Sequence, residues 1–591
     1  MASAYTLLIK EVIALPGIVL ALIGMVVFAL GYRYYSKFIA ERIYRLDPNF
    51  RTPAHEFNDG VDFVPTKKSI VWAHHFTSVA GAAPILGPAI AVYWGWLPAF
   101  LWVVLGTVFA AGVHDFGSLV LSVRNKGQSI GTIAEKLIGR RAKLLFLFII
   151  LILVLMVNAV FAWVIANLFV TFPASVLSIF IQIPLALIIG VYIHRKTKSM
   201  LLPSIVALVV MYGSAVLASE IPALQIDLVQ YFGGEGATFM FGMDAVSLAF
   251  LVWIAILMVY VYIASTLPVW KLLQPRDYIN AQQLVIGLII LYAGLFITNP
   301  TVTAPATRTV DDVSWLPLLF ITIACGAISG FHSLVSSGTS SKQLNNEKDA
   351  RVVGYLGAVG EGVLALISII AVVTLFSSAN EFTAAYSSFN VANADGLTNF
   401  IMGAGVLASG LGIPEGMAQT IVAVIVISFA ATTLDTAVRL MRYIISEIAA
   451  EYKAYALTKK HVATSIAVGS SALLVLIPGD DRGFGAGGYL LWPLFGTSNQ
   501  LLAGIALLLI TIWLRRLGRN YLVTLIPMIF LLVMTMYAMI LQITTEWLFT
   551  RPDGDLLLFV LGSIIFVFAA WICIEAITLF KNEKPRRDLD V

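Results

Sequence analysis

The sequence predicts an all-α polytopic membrane protein with about fifteen transmembrane helices. Composition gives the class, because 59% of the 591 residues are apolar and only 12% are charged, against roughly 45–50% and about 25% in soluble domains. About fifteen apolar runs also approach or exceed the roughly 20 residues that a spanning helix needs. The formal net charge of +4 is too small to indicate nucleic-acid binding.

The predicted spans are these runs, separated by polar or turn-forming segments. They cover residues 12–31, 70–94, 96–122, 144–168, 174–194, 200–218, 244–269, 283–299, 314–338, 352–376, 417–438, 463–478, 486–514, 520–542 and 556–580. A shorter stretch with several glycines, 400–413, falls below spanning length. We expect it to be re-entrant or interfacial.

The distribution of basic residues gives the orientation, since lysine and arginine concentrate in cytoplasmic loops. Of the 37 lysines and arginines, all but Lys10, Arg308, Arg482 and Arg551 fall in alternate connecting segments. One missed or invented span would scramble this partition. The sequence therefore predicts an odd number of spans, with the N-terminus outside and the C-terminus inside.

Residues 72–88, WAHHFTSVAGAAPILGP, are the stretch around which the other spans are expected to be arranged. Gly81, Pro84, Gly87 and Pro88 occupy positions where a continuous helix favours good helix formers. Backbone freed from helical bonding at membrane depth persists only where protein buries it or where it lines a cavity. The stretch predicts a broken helix that forms half of a transport site; a helix kinked only for packing is the alternative.

A second interrupted span is predicted to run in the opposite direction. Residues 314–338 are crowded with Gly, Ser and Ala, and HSLVSSG (332–338) shares His, Ser or Thr, and Gly positions with HFTSVAG (75–81). Discontinuous helices of opposite direction are typical of inverted-repeat transporters. A further interruption is predicted at 496–498.

The predicted organisation is a peripheral helix (1–31), a basic cytoplasmic segment (32–69), a first five-helix repeat (70–218), inserted helices and loops (219–313), a second, inverted repeat (314–514), and two C-terminal helices with a cytoplasmic tail (515–591).

Ionisable side chains inside spans are few, and each costs roughly 2.5–3.5 kcal/mol to insert. Glu361 is predicted to handle a coupled proton, because a low dielectric favours the protonated form of a buried carboxyl group; a structural hydrogen bond is the alternative. Asp115 and Asp435 are further candidates for proton coupling. The alternatives are an interfacial position near Arg124 for Asp115 and an ion pair with Arg439, at i+4, for Asp435.

Histidine and threonine side chains near the first break are candidate ligands. His75 is predicted to contact substrate or a proton. His74 points about 100° away from it on a helix, so the two make a poor metal chelate. Thr432 and Thr433 are candidates for a sodium site opposite the broken helix; hydrogen bonding across helices is the alternative.

Seven motifs, in order along most of the chain, resemble the carbon starvation protein (CstA) family. They are GYRYYSKFIAERIYRLDP (31–48), TPAHEFNDGVDFVPT (52–66), HHFTSVAGAAPILGP (74–88), LPAFLWVVLG (97–106), SSGTSSKQLNNEKDARVVGY (336–355), TTLDTAVRLMRYIISE (432–447) and LWPLFGTSNQLLAG (491–504). The chain departs from the family pattern at Ala73, where glycine is expected. It also departs at Ala82 and Ala83, which we expect to narrow the site.

The resemblance implies a LeuT-like fold in the inner membrane, built from inverted five-helix repeats, and uptake of peptides or of pyruvate coupled to protons. In that fold the first and sixth core helices are broken and the eighth often supplies hydroxyls to a sodium site. These helices correspond here to 70–94, 314–338 and 417–438. Thr432 and Thr433 inherit the sodium role by fold analogy alone.

The leading prediction is a secondary transporter of peptides that works by alternating access, with a pyruvate:proton symporter or a sodium-coupled carrier as alternatives. Half-helix N-termini near Gly81 and Gly338 are expected to hold a substrate carboxylate. The predicted substrate-binding residues are His75, Ser78, Gly81, Ala82, His332, Ser336, Ser337, Gly338 and Asn499.

Other functional classes find less support in the sequence. No GxxxxGK[ST] loop and no HExxH motif occurs, which disfavours an ATP-driven pump and a zinc protease. The sequence contains no recognisable nucleophile elbow, the turn that presents a catalytic serine, and this disfavours an enzyme. A nutrient sensor on a transporter fold stays an alternative. The expected partners are a peptide or small carboxylate and the lipid bilayer, with H⁺ or Na⁺ as coupling ion and no cofactor; the sequence does not predict the oligomeric state.

Overall fold

Helices form the protein throughout its described residues. The computed structural model describes residues 15–582 except 197–198, 235, 240–242, 479–484, 549 and 551–553. Within this part, extended pairing is limited to isolated bridges between single residues. Predicted features at residues 1–14, in the tail from 583, and at Lys10, Arg482 and Arg551 lie outside the described residues. The predicted all-α class is confirmed.

Twelve helices in the described chain are long and apolar enough to cross a membrane, which confirms a multi-pass membrane protein. All labelled helices except α2, α3, α10, α11, α12, α14 and α16 are among the twelve. In chain order they are α1 (Gly17–Tyr44), α2 (Lys68–Val79), α3 (Ala83–Trp94), α4 (Trp96–Arg124), α5 (Arg140–Thr171), α6 (Pro173–Arg195), α7 (Leu201–Glu220), α8 (Ala245–Thr266), α9 (Leu273–Thr298), α10 (Trp315–Thr322), α11 (Ala324–Ala327), α12 (Phe331–Gly338), α13 (Glu347–Val373), α14 (Phe389–Ser409), α15 (Glu415–Glu451), α16 (Lys460–Val475), α17 (Trp492–Arg516), α18 (Leu522–Glu546) and α19 (Leu556–Lys581).

Three predicted runs do not form single long helices. Helices α2 and α3 pass as a span only together, and the pair is bent by 45°. The run 314–338 is divided into α10, α11 and α12, and the run 463–478 forms the 16-residue α16. The described chain therefore supports twelve spans, or thirteen with the bent pair, in place of the predicted fifteen. The orientation and the inverted repeat stay predictions.

Several predicted boundaries differ from the structure; α1, for example, continues to Tyr44, past the predicted end of its span at residue 31. Helix α9 begins at Leu273, ahead of the predicted start at residue 283. Its first turns are polar but buried, so hydropathy alone places them in a loop. The stretch 400–413, predicted to be re-entrant or interfacial, is mostly the second half of the 21-residue α14.

The interruption predicted at 496–498 is absent, because α17 runs unbroken through it. The hydroxyl of Thr497 donates to the carbonyl of Pro493 at 3.0 Å, and that of Ser498 donates to Leu494 at 2.6 Å. Such bonds to the preceding turn satisfy small polar side chains within a helix. The prediction of a third break was wrong.

The centre of the bundle is built on α15, which packs along α5, α14 and α16. In its apolar stretch 94% of residues are buried, whereas 28% are buried in α19. Helices that are hydrophobic all round and buried belong to the interior of a membrane bundle, and lipid covers the rest. Polar residues of α15 are thus enclosed by protein.

Candidate functional site

The first break lies between α2 and α3, where Ala80, Gly81 and Ala82 link two helices bent by 45°. A Cβ atom on Gly81 would lie 2.6 Å from Cε1 of Phe161 and 2.7 Å from Oγ1 of Thr433. Only glycine fits so close an approach. The predicted broken helix is confirmed at the predicted residues.

The second break lies at Ile328 to Gly330, between α11 and α12. Ile328 has extended backbone, with φ −166° and ψ 130°. Gly338, which was expected to flank the break, is instead the last residue of α12. The second span is broken as predicted, but eight or more residues earlier in the chain than Gly338, because the backbone is extended at Ile328 while the serines of α12 remain helical.

Asn499 of α17 binds the backbone at the second break. Its Oδ1 accepts the N–H of Phe331 at 2.9 Å, and its backbone carbonyl accepts the N–H of Gly330 at 3.0 Å. Its Nδ2 donates to Sγ of Cys325 and to Oγ of Ser329, each at 3.0 Å. These bonds satisfy N–H groups at the start of a helix, which otherwise lack partners. The amide of Asn499 is thus engaged by protein; its role toward substrate stays a prediction.

A cavity of about 680 Å³ lies next to the first break and next to α11, the short helix that precedes the second break. Ala83, at the start of α3, and Ala324 and Cys325 of α11 line one part of its wall. Its other walls come from segments around Asp312 and Asn390 and from the ends of α17 and α18, all predicted to lie outside. A broken helix and a cavity large enough for a small molecule therefore lie next to each other, as expected of a substrate pathway.

A buried cluster of acids and histidines lies beside the second half-helix; we term it the His332 cluster (His114, Asp115, His332 and Glu361). Nδ1 of His332 lies 2.7 Å from Oδ2 of Asp115, and its Nε2 lies 3.2 Å from Oε2 of Glu361. Nδ1 of His114 lies 2.7 Å from Oδ1 of Asp115. None of the four side chains is more than 2% exposed. Three helices, α4, α12 and α13, meet at one imidazole.

The His332 cluster brings together residues that the sequence offered separately. Asp115 was given an interfacial position near Arg124 as an alternative, but it is fully buried, and Arg124 pairs with Glu347 at 2.7 Å. Oε1 of Glu361 has no hydrogen-bond partner within the described chain. An incompletely bonded carboxyl group beside a histidine can accept or release a proton without disrupting other bonds.

Two adjacent histidines join the two broken spans. Nε2 of His74 lies 3.0 Å from Oγ1 of Thr339, and Nδ1 of His75 lies 2.9 Å from Oγ of Ser340. Thr339 and Ser340 follow directly on α12. Because both pairs are buried, the inner parts of the two broken spans are held together by side chains of α2.

Thr432 and Thr433, the predicted hydroxyl ligands of a sodium ion, form hydrogen bonds with different neighbours. Thr433 faces the first break, and its Oγ1 donates to the carbonyl of Ser78 at 3.3 Å. Oγ1 of Thr432 accepts from Nδ2 of Asn280 at 2.6 Å. No group of three or more His, Cys, Asp or Glu side chains suited to a metal occurs in the described residues. A sodium site here would rest on Thr433 and backbone carbonyls.

Ser336 and Ser337 lie on α12, away from the cavity. The hydroxyl of Ser336 donates to the carbonyl of Asp115 at 3.5 Å. The hydroxyl of Ser337 donates to the carbonyl of Ser333 at 2.7 Å and accepts the N–H of Ile130 at 3.1 Å. Both hydroxyls are engaged in packing α12 against α4 and its neighbours.

A second buried network surrounds Asp435 and includes residues that sequence reasoning missed. Asp435 pairs with Arg276 and accepts from the hydroxyl of Tyr260 at 2.7 Å. Its expected partner, Arg439, instead lies 3.5 Å from Asp62 and donates to carbonyls at the end of α8. The i+4 ion pair was therefore wrong, because Arg276 enters from α9.

The basic segment between α1 and α2 ends in a strap against the inner ends of α12 and α15; residues 59–66 are termed the inner strap. The N–H groups of Val64 and Thr66 donate to the carbonyls of Lys342 and Gln343 at 3.2 and 3.0 Å. Oδ1 of Asp62 accepts from the hydroxyl of Tyr443 at 2.7 Å. The strap continues directly into α2, so it connects α2 with the segment that follows α12 and with α15.

Spanning helices, two broken helices and a cavity lined by parts of both define a multi-pass membrane protein. A family model described as Carbon starvation protein CstA matches residues 16–389 and 376–538. The chain belongs to the carbon starvation protein CstA family, which confirms the resemblance of the motifs.

Named relatives are transporters. The chain is 32% identical to the peptide transporter CstA of Campylobacter jejuni over 90% of its own length and 81% of that protein. It is 31% identical to the peptide transporter CstA of Escherichia coli over 87% of its length and 79% of that protein. It is 36% identical to the pyruvate/proton symporter BtsT of Escherichia coli over 58% of its length and 47% of that protein.

Proposed function

We propose that this protein is a secondary active transporter that takes up peptides across the inner membrane, coupled to protons, by alternating access. The observation that carries the proposal is the cavity on the predicted outer side, whose wall includes the start of α3 after the first break and α11 before the second. At the opposite end, the His74–Thr339 pair and the inner strap hold the same helices together. Such an arrangement is an outward-facing state, from which the inner contacts must separate to release substrate.

Peptide is the preferred substrate because the relatives that match most of this chain are named peptide transporters. The cavity, at about 680 Å³, has room for a molecule larger than a three-carbon acid. Pyruvate:proton symport is the second candidate, favoured by the 36% identity to BtsT. Helix α3 begins at the cavity wall, and the partial positive charge of a helix N-terminus suits the carboxylate that both substrates carry.

Proton coupling is assigned to the His332 cluster. His332 is on the second half-helix, whereas Asp115 and Glu361 are on continuous helices. Movement of α12 would change the distances of 2.7 and 3.2 Å that now hold the imidazole between two carboxylates. The proton affinity of the cluster then differs between the outward and inward states, which is the requirement for coupling. Sodium coupling through Thr433 is the alternative.

Reconstituted protein tests the proposal. Uptake of a labelled dipeptide and of labelled pyruvate is measured in proteoliposomes under an imposed proton gradient or sodium gradient. We expect dipeptide accumulation driven by the proton gradient. Counterflow, the exchange of labelled for unlabelled substrate, distinguishes a carrier from a sensor or an enzyme. Absence of counterflow with both substrates would contradict transport of either one.

A further inference from the structure

A second buried acid–histidine pair lies outside the His332 cluster, between α2 and α9. Nδ1 of His74 lies 2.5 Å from Oδ2 of Asp277, and both side chains are fully buried. Oδ1 of Asp277 has no hydrogen-bond partner in the described residues. Enclosing such a pair in a membrane protein is costly, so an intramembrane pair of this kind indicates a function.

The hydrogen bonds of His74 can accommodate two charge states. Oγ1 of Thr339 lies 3.0 Å from Nε2 of His74 and also 3.0 Å from the carbonyl of Val335. A hydroxyl has one proton to donate. When His74 is neutral, Thr339 donates to Nε2; when His74 is an imidazolium, Nε2–H donates to Thr339, which donates to Val335. Rotation of one hydroxyl therefore suffices for His74 to bind or lose a proton.

Charged side chains continue from this pair to the inner surface. Arg276, next to Asp277, pairs with Asp435. The charge of Arg439 acts on both aspartates, and Arg439 faces Asp62 of the inner strap, whose side chain is 24% exposed. In the other direction, His75 follows His74 and is within electrostatic range of Asp115 and His332. The pair thus lies between the His332 cluster and the inner surface.

We propose that His74 and Asp277 form a second proton-binding site, from which the transported proton leaves toward the inner side. The proposal rests on proton-coupled transport as the proposed function. In the release step the Nε2–H bond of His74 breaks, the proton passes to water on the inner side, and Thr339 rotates to donate to Nε2. Asp277 stays ionised and keeps its bond to Nδ1–H, so charge and protons balance.

Several charged or titratable groups lie on α2 and on the elements that pack against it around this site. They are His75 on α2, Arg276 and Asp277 on α9, His332 on α12, Lys342 after α12, Arg351 and Glu361 on α13, and Asp435 and Arg439 on α15. Arg276 and Arg439 oppose an additional positive charge, whereas Asp277 and Asp435 favour it. Asp277 is the only one of them bonded to a nitrogen of His74 in the described chain.

The test is the response of counterflow to pH on each side of vesicles of one orientation, with the labelled dipeptide as probe. In the wild type, we expect the rate to change by up to about tenfold per pH unit on either side. Asp277→Asn keeps a hydrogen bond to His74 but removes the charge. It should lose the response to inner pH, to less than about twofold, and keep the response to outer pH. Asp277→Glu should restore the inner response, and Glu415→Gln, at the exposed outer end of α15, should behave as wild type.

The outcomes separate this inference from the proposed function. Counterflow by Asp277→Asn shows that the variant is folded. A wild-type response to inner pH in Asp277→Asn would overturn the second site while leaving proton coupling intact. Loss of the response on both sides would also overturn it, because Asp277 would then act through the His332 cluster. A wild-type protein that responds to pH on neither side would refute proton coupling itself.

Discussion

Nε2 of His332 lies 3.2 Å from Oε2 of Glu361, while Nδ1 of the same ring lies 2.7 Å from Oδ2 of Asp115. One imidazole on a half-helix is therefore held between carboxylates from two continuous helices. His114 contacts Asp115, so in the described chain Glu361 shares its histidine with a second acid, and its negative charge is incompletely paired unless a proton or a substrate cation compensates it. This imbalance makes Glu361 the natural place for the coupled proton.

Glu361→Gln should abolish accumulation driven by a proton gradient and leave counterflow partly intact. The amide keeps the volume of the side chain but cannot carry the proton. Dipeptide uptake in proteoliposomes, with and without an imposed proton gradient, measures both activities. Glu415→Gln removes an exposed carboxylate and serves as control. Normal gradient-driven accumulation by Glu361→Gln would remove Glu361 from the coupling role.

Gly81→Ala should slow uptake by about 100-fold, because a shift of the order of 1 Å at a binding site has that effect. The new Cβ would lie 2.6 Å from Phe161 and 2.7 Å from Thr433, so the break must open to admit it. Gly81→Leu should block uptake altogether, with the protein still inserted. Gly213→Ala is the matched control, since a Cβ there meets nothing within 4 Å. Equal rates for the two alanine variants would mean that the break only serves packing.

Cys325 should react with a membrane-impermeant thiol reagent added from outside and not from inside. Cys325 lines the cavity, which is predicted to open to the outside, and the residue is 8% exposed. Labelling should inhibit uptake, and a saturating dipeptide should slow the labelling. Cys573→Ser should leave both effects unchanged, whereas Cys325→Ser should remove them. Labelling from the inner side alone would reverse the orientation assigned to the cavity.

The inner strap should be insensitive to pH over the range in which proton coupling is measured. Burial raises the pKa of Asp59, but hydrogen bonds from the N–H groups of Val61, Phe63 and Asp62 outweigh it and lower the pKa below its ordinary value. A lowered pKa contributes stability above the unfolded value and loses it as pH falls through the folded value, so the loop is unaffected from about pH 5 to 8.

Removal of this carboxylate provides the test. Asp59→Ala should cost roughly 1 kcal/mol, as for other side chains that cap backbone N–H groups, or about fivefold in amide exchange. Hydrogen-exchange protection of residues 59–66 measures this change. Asn58→Ala, one residue earlier, is a control, because Asn58 bonds only the N–H of Gly60 in the described chain. Protection in the wild type that falls between pH 8 and pH 5 would contradict the assignment to Asp59.

The break at Gly81 was predictable because glycine and proline mark it in the sequence, and Asp115, His332 and Glu361 were each identifiable as polar residues in apolar runs. Their meeting at one imidazole was not, since it depends on how three helices cross. Arg276 and Asp277 were missed for a different reason. A hydropathy criterion places the end of a span at the first charged residues, but the charged side chains of Arg276 and Asp277 are paired inside the protein.

The bonds of Asn499 to the backbone of Gly330 and Phe331 fasten the second half-helix to α17, every residue of whose apolar stretch is buried. Within the described residues, no side chain bonds the backbone of the first break in this way; Thr433 donates to the carbonyl of Ser78, which precedes it. The second break is therefore held more firmly by hydrogen bonds than the first. The predicted symmetry of the two repeats would therefore not extend to how firmly each break is held.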